Sequence, residues 1–407
     1  MTALPAAGVA LPILVLCLGH MFSNAVRTVP AIAADLLTRD LGISAEMLAQ
    51  ITGAFPLAFA AVMIPVGIAL DRYGVKRVCL LLLAVAGAGA LLGALATGPW
   101  SMLLAQVVLG AGCSGMLMCP ITFAARALPA HRFAVWSGII LAVGNSGMLL
   151  SASPLALLIE ATDWRAGFWA PAILAMLAML AVALVVPPDR VEAPPSRGLL
   201  ADVREVLAIA RLPAMRGVMV IVFASLAAVL GLRGLWGGPW LMEVKDLTRI
   251  EAGNILLACT LALTVGPALA GIVLRRSGQA ALLLGGSHLA AAGLLLLVVA
   301  GGPEGLVSRA IGVPVMPPAY DTVLLVLFGL IISCQMIGFS LVRAAVPPEQ
   351  AGRALSAANL SFFLGAAVLQ ALSGLMASWG GISAALTTFA VALVLSSVGF
   401  LVLHPRR

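Results

Sequence analysis

Two arginines lie where a charge is expensive. Arg27 and Arg233 each sit inside a long apolar run, where a charge costs roughly 2.5–3.5 kcal/mol on insertion scales. His20, Asn24 and Arg27 are spaced four and three apart, so they share one helix face. Trp236 follows Arg233 by one turn. No Asp or Glu lies in the interior of the apolar runs; all 16 acidic residues fall in loops or at run ends. A guanidinium fork suits the oxygens of carboxylate, phosphate or nitrate, so a bound anion would supply the missing countercharge. Otherwise each arginine would snorkel to the outer interface. His20 is the candidate for proton coupling, because imidazole titrates near neutrality. Asn145, Gln335 and Asn359 add polar groups inside the runs; such groups also serve as glue between helices.

A second chemistry is soft-metal binding. Met215 and Met219 are one turn apart, and Cys113, Met116, Met118 and Cys119 cluster. Thioether and thiolate suit Cu(I), which makes a copper transporter an alternative, although both residue types are ordinary packing material. The six cysteines have no CxxC partner, so neither disulfides nor structural zinc is expected. No HExxH, GxSxG or phosphate loop stands in a suitable context. We expect no enzyme, no cofactor and no resident metal.

The elements that must position these residues follow from composition. The chain is 62% hydrophobic and 10% charged, with mean hydropathy +1.13, and its runs have the length of membrane spans. Twelve spans are expected: 9–34, 46–70, 78–97, 100–125, 133–158, 166–187, 214–240, 252–274, 281–301, 321–345, 353–378 and 381–404. The first lacks a basic leader and is too long for a signal peptide, so it reads as retained. With the N-terminus in the cytoplasm, 16 Lys and Arg fall inside and five outside. That asymmetry sets both termini inside and accounts for the net charge of +7 without nucleic acid. Between spans six and seven, "PPDRVEAPPSRG" is a Pro-rich linker, and "LLADVREVLAIAR" reads as a short helix on the inner leaflet. The chain thus divides into a bundle at 1–187, a connection at 188–213 and a second bundle at 214–407.

The halves repeat. Arg27 is followed by Arg39-Asp40-Leu41, and Arg233 at the same distances by Lys245-Asp246-Leu247. Gly67-x-x-x-Asp71-Arg72-x-Gly74 is matched by Gly271-x-x-x-Arg275-Arg276-x-Gly278. Arg132 precedes Gly144 by twelve residues, as Arg353 precedes Gly365. The offset is 206, then 204, then 221; the last jump fits a longer outer loop, "GGPEGLVSRAIGVPVMPPAY". Parallel six-helix repeats place a substrate site near the midplane. "GGPW" (Gly237, Gly238, Pro239, Trp240) is expected to interrupt span seven as a gate or a terminus, and Pro30 holds a comparable place in span one.

"GIALDRYGVKRV", from Gly67 to Val78, resembles the loop between helices two and three of the major facilitator superfamily, and "DWRAGFW" before span six is also similar to that superfamily. The resemblance implies an all-α fold of two pseudo-symmetric six-helix bundles. It also implies secondary transport by alternating access, with spans one and seven lining a central cavity. It gives Gly67, Asp71, Arg72, Gly74, Lys76 and Arg77 the role of a conformational latch. Two departures weaken a drug- or metabolite-efflux reading: Gln106 stands where proton-coupled members often carry arginine, and "GNSGMLLSASP" replaces the antiporter motif of helix five. Gly144-Asn145 is slightly similar to nitrate/nitrite porters, but those place their arginines in helices two and eight.

The expectation is therefore a multi-pass, monomeric protein of the inner membrane. It would carry a small anion (nitrate, nitrite, cyanate or an organic acid) as symporter or antiporter, held by Arg27 and Arg233. Exchange is slightly favoured where span carboxylates are missing. A membrane sensor that does not transport is the remaining alternative.

Overall fold

A computed structural model describes residues 6–151, 153–188, 199–347 and 350–403. Among them all regular structure is helical. Eleven helical stretches are long and apolar enough to cross a membrane. The last runs over 51 residues, but Gly380 (φ −139°, ψ 21°) and Gly381 (φ 65°, ψ −165°) are not helical. That bend falls where the sequence separates its last two expected spans, and only glycine takes the second conformation without strain.

By packing, the chain forms two compact units: Met1–Val29 with Leu57–Asp202, and Pro30–Pro56 with Val203–Arg407. In chain order the helices are α1 (Ala6–Val26), α2 (Val29–Ile32), α3 (Ala34–Leu41), α4 (Ala45–Tyr73) and α5 (Val75–Ala94). Next come α6 (Pro99–Cys113), α7 (Met118–Ala127), α8 (Ala130–Leu150), α9 (Ser153–Ala161), α10 (Ala166–Val185) and α11 (Leu199–Ala210). In the second half, α12 (Pro213–Gly231) continues through a π turn (Leu232–Trp236), α13 (Gly237–Pro239) and a second π turn (Trp240–Val244). There follow α14 (Arg249–Ser277), α15 (Ala280–Ala300), α16 (Leu306–Ile311) and α17 (Pro318–Ile332). A 3-10 turn (Ser333–Met336), α18 (Ile337–Ala344) and α19 (Ala351–Leu403) end the chain.

The first unit packs α5 on α6 and α10, and α1 on α8 and α10. The second packs α12 and α15 on α19, and α14 and α15 on α17. Small residues allow these approaches. A Cβ on Gly144 in α8 would collide with the ring of His20, and one on Gly365 in α19 would collide with the carbonyl of Phe223 in α12. The glycines matched by the repeat are thus both contact points.

Several span limits differ from expectation for local reasons. The first span changes character after Val26: Arg27 and Thr28 form a turn before α2. Pro30 has no N–H to give the carbonyl of Val26 four residues back, and its ring crowds that carbonyl. The fourth span loosens at 114–117 and the fifth is interrupted at Ser151. The seventh does not stop at "GGPW". Correcting the expected interruption, Gly237, Gly238 and Pro239 are all helical and buried, between two π turns. The Leu235 carbonyl, four before Pro239, lies in the first widened turn, which gives the ring room. The Pro-rich linker falls at 189–198, outside the described residues, whereas the short helix after it is α11.

Candidate functional site

In the first unit, α1 brings three expected residues into contact with α8. The Asn24 amide donates to the Gly144 carbonyl at 3.1 Å and to Asn145 Oδ1 at 3.4 Å, and lies 3.4 Å from His20 Nε2. His20 is 6% exposed and its Nδ1 is left without a protein partner. With Nε2 accepting from Asn24, the ring proton belongs on Nδ1, so this nitrogen offers a buried donor. Arg27 is half-buried. Its guanidinium reaches back one turn to Ser23 Oγ at 3.0 Å and stacks over Phe59, 5.3 Å from the ring centroid. It therefore points along α1 toward the middle of the span, the usual direction of a helical side chain. Ser23 stands four residues before Arg27 in the sequence, and that spacing is the one local signal of the contact.

In the second unit, Arg233 is 3% exposed within the first π turn, and its Nε donates to Thr260 Oγ1 of α14 at 2.8 Å. Thr260 itself donates to the Leu256 carbonyl at 2.7 Å. Trp236 is buried, and its indole N–H donates to Ser373 of α19 at 2.8 Å. Thr260 and Ser373 carry no unusual spacing, so the sequence does not single them out. Gln335 is buried in the 3-10 turn with Oε1 unpartnered, and Asn359 is half-buried on α19. Gly238 packs against the Ala31 carbonyl, so the segment that Pro30 bends lies on α13 within this unit.

One expectation needs correction. Asp321 and Lys245 read as residues of a span end and an outer loop. The side chains of Lys245 and Asp321 are 1% and 0% exposed and form an ion pair of 2.8 Å. Lys245 also donates to the carbonyls of Gly301 and Met316 at 2.9 and 3.0 Å, and the Trp240 indole donates to the other Asp321 oxygen at 2.8 Å. A buried carboxylate therefore exists next to the seventh span. The sequence conceals it because helix ends normally face solvent, and here a long loop closes over one. Both its oxygens are engaged, which suits a brace better than a proton carrier. His288 is likewise enclosed: Nδ1 faces the Leu284 carbonyl at 2.8 Å and Nε2 faces Ser225 Oγ at 2.6 Å.

The expected latch is built around Gly74, whose φ of 83° turns the chain from α4 into α5; Gly278, its repeat partner, has φ 68°. Lys76 donates to the Ala183 carbonyl at 2.8 Å, in the last turn of α10, where unsatisfied carbonyls collect. Arg72 lies 5.5 Å from the Tyr73 ring centroid. Gly67 faces Met118, and Arg77 is exposed. The side chain of Asp71 lies outside the described residues. For soft-metal chemistry, Met215 and Met116 are fully buried, and Met116 packs its sulfur against Gly19 as core material. Among the described residues no group of three or more His, Cys, Asp or Glu is placed to hold a metal.

The comparisons with known proteins agree on the fold and disagree on cargo. The chain is 29% identical over 164 residues to a triacylglyceride transporter of Mycolicibacterium hassiacum, covering 39% of this chain and 30% of that protein. It is 23% identical over 154 residues to the probable sulfoacetate transporter SauU of Cupriavidus necator, covering 38% of this chain and 36% of that one. The chain thus matches only about a third of the length of these relatives. A crystal structure of a POT family transporter with 5-aminolevulinic acid superposes with TM-score 0.81 at 13% identity, covering 98% of this chain and 96% of the other; the fold is shared, nothing finer. The model of the Major Facilitator Superfamily matches residues 16–338, and the chain belongs to that superfamily of membrane transporters.

Proposed function

We propose that this protein is a secondary transporter of a small anion, such as nitrate, nitrite, cyanate or a short organic acid, with Arg27 and Arg233 as its cationic contacts. The observation that carries the reading is the matched pair itself. Two arginines occupy equivalent repeat positions inside spans one and seven, and both stand in a perturbed turn upstream of a proline. Neither reaches for an outer headgroup: Arg27 bends back to Ser23, and Arg233 is held by Thr260. A guanidinium carries its donors in a fixed planar fork, which matches a planar oxyanion. His20 Nδ1 adds a donor in the first unit. The name of the sulfoacetate relative is compatible with such a cargo, while the triacylglyceride relative bears the name of a different class of cargo.

The test is transport in proteoliposomes of the Arg27→Ala and Arg233→Ala chains against a panel of anions, with reconstitution checked separately. Each substitution should abolish uptake of the anion that the parent chain carries. Uptake that survives both changes removes the anion reading. Thermal stabilisation of the purified protein by the same panel identifies the substrate; stabilisation by Cu(I) alone would move the assignment to a soft metal.

A further inference from the structure

We propose that the outward face of α11 binds the phosphate headgroups of anionic phospholipids in the cytoplasmic leaflet. The inference does not rest on the cargo of the transporter. The second unit begins within α11, and three contacts fix the orientation of this helix there. Val206 and Ile209, each 5% exposed, face the protein. Glu205 pairs with Arg353, at the start of α19, at 2.7 Å. A hydrogen-bonded corner joins α11 to the span that starts at Pro213: the amides of Met215 and Arg216 donate to the Leu212 carbonyl, and Arg216 Nε donates to the Arg211 carbonyl at 3.0 Å. The C-terminal end of α11 is therefore tied to the membrane surface by two residues of chain, Arg211 and Leu212.

What remains outward has a distinct chemistry. Arg204, Leu207, Ala208 and Arg211 are exposed, and their spacing of three, one and three puts them on one face of a helix. Leu212 extends it at 39% exposure. Glu205 is turned to Arg353, so of the described side chains on this face the only charges are arginines. Exposed leucine beside arginine, one turn from a span, is the pattern of a helix at a lipid interface. On the arginine-rich side of the chain, which the Lys and Arg distribution assigns to the cytoplasm, the surface potential is negative. A guanidinium offers phosphate two parallel donors and leaves leucine free to enter the acyl boundary. A soluble partner or a second copy of this chain would cover the leucines equally well, but would not explain why the outward charges described on this face are all cationic.

The experiment places a nitroxide at Leu207→Cys in the full chain, reconstituted in phosphatidylcholine vesicles with and without phosphatidylglycerol. Five of the native cysteines are buried and the sixth is half-buried, so labelling is directed to position 207. With phosphatidylglycerol, collision with oxygen should rise and collision with a water-soluble nickel complex should fall. Each arginine near an anionic surface contributes about a fivefold effect, so Arg204→Gln/Arg211→Gln should reduce the phosphatidylglycerol response roughly tenfold or more. Arg204→Lys/Arg211→Lys should keep most of it. A label equally open to water in both vesicle compositions overturns the proposal. So does a label shielded irrespective of phosphatidylglycerol, which would mean that protein covers this face. If the Gln variant does not fold, titration of phosphatidylglycerol against the labelled parent chain decides between the same outcomes.

Discussion

Spans one and seven carry the same pattern and resolve it differently. In each, an arginine is followed at equal distances by a basic-acidic-leucine triplet. In span one the proline lies three residues after the arginine, and the helix ends at Val26. In span seven it lies six residues after, and the helix continues through π turns. The contrast is sharper at the triplet. The Arg39 side chain is 72% exposed and pairs with its neighbour Asp40. Lys245, its counterpart, is sealed with Asp321. The cause lies elsewhere in the chain. The repeat offset grows from 204 to 221 before Arg353 because the second half carries the extra outer loop. The neck of that loop supplies the Gly301 and Met316 carbonyls that receive Lys245. Duplication sets the position of a charge along a span; an insertion in another element sets its burial.

The largest expected effect breaks this contrast directly. Asp321→Ala leaves Lys245 charged and enclosed, and removing one partner of a buried pair costs about 3–5 kcal/mol. Thermal unfolding in detergent should show most of the stability lost, whereas Asp40→Ala at the exposed counterpart should change it by less than about 1 kcal/mol. The double change Lys245→Met/Asp321→Leu should recover much of the loss. Equal, small effects at both sites would mean that the brace is not one.

Next is the choice of cation. Lysine cannot reproduce the Arg233 Nε bond to Thr260 while also offering a fork. Arg233→Lys should reduce anion uptake at least tenfold, about 1.4 kcal/mol. At Arg27 the guanidinium makes a bond to a hydroxyl and a stacking contact with Phe59, both of which an ammonium can partly replace. Arg27→Lys should therefore be the milder change in the same uptake assay. The reverse order would show that the two repeats divide the work the other way.

How much of this the sequence shows follows the same division. Fold class, repeat and family follow from apolar runs, arginine distribution and the Gly67–Val78 loop, because these are properties of single elements. The placement of His20, Asn24 and Asn145 is half legible: spacing joins the first two, and the Gly144 contact point in α8 brings the third. Arg27 shares their helix face by count, yet its head turns to Ser23. Asp321 is hidden because burial at a span end depends on a loop sixteen residues long closing at residues 301 and 316, and no local pattern marks it. The π turns are hidden because Gly-Gly-Pro reads as a helix stop until α14 and α19 hold both sides of it with Thr260 and Ser373.

The smallest expected effects concern the contact glycine and the prolines. Gly144→Ala pushes a methyl into the His20 ring, an overpacking that costs about 1–3 kcal/mol. Gly138→Ala on the same helix meets no atom within 4 Å and should be neutral or slightly stabilising in the same unfolding assay. Pro239→Ala should do less than Gly144→Ala. The helix already runs through this position, so a restored N–H gains a partner without moving the chain, and stability should change by under about 1 kcal/mol. Pro30→Ala has no such neutrality for function. An N–H at position 30 can reach the Val26 carbonyl and continue α1 through Arg27 and Thr28, turning the guanidinium about the helix axis. Its signature is a weaker stabilisation by the transported anion at little cost in unfolding temperature. If instead Pro239→Ala weakens anion binding and Pro30→Ala does not, the π turn rather than the broken turn is what orients the cation.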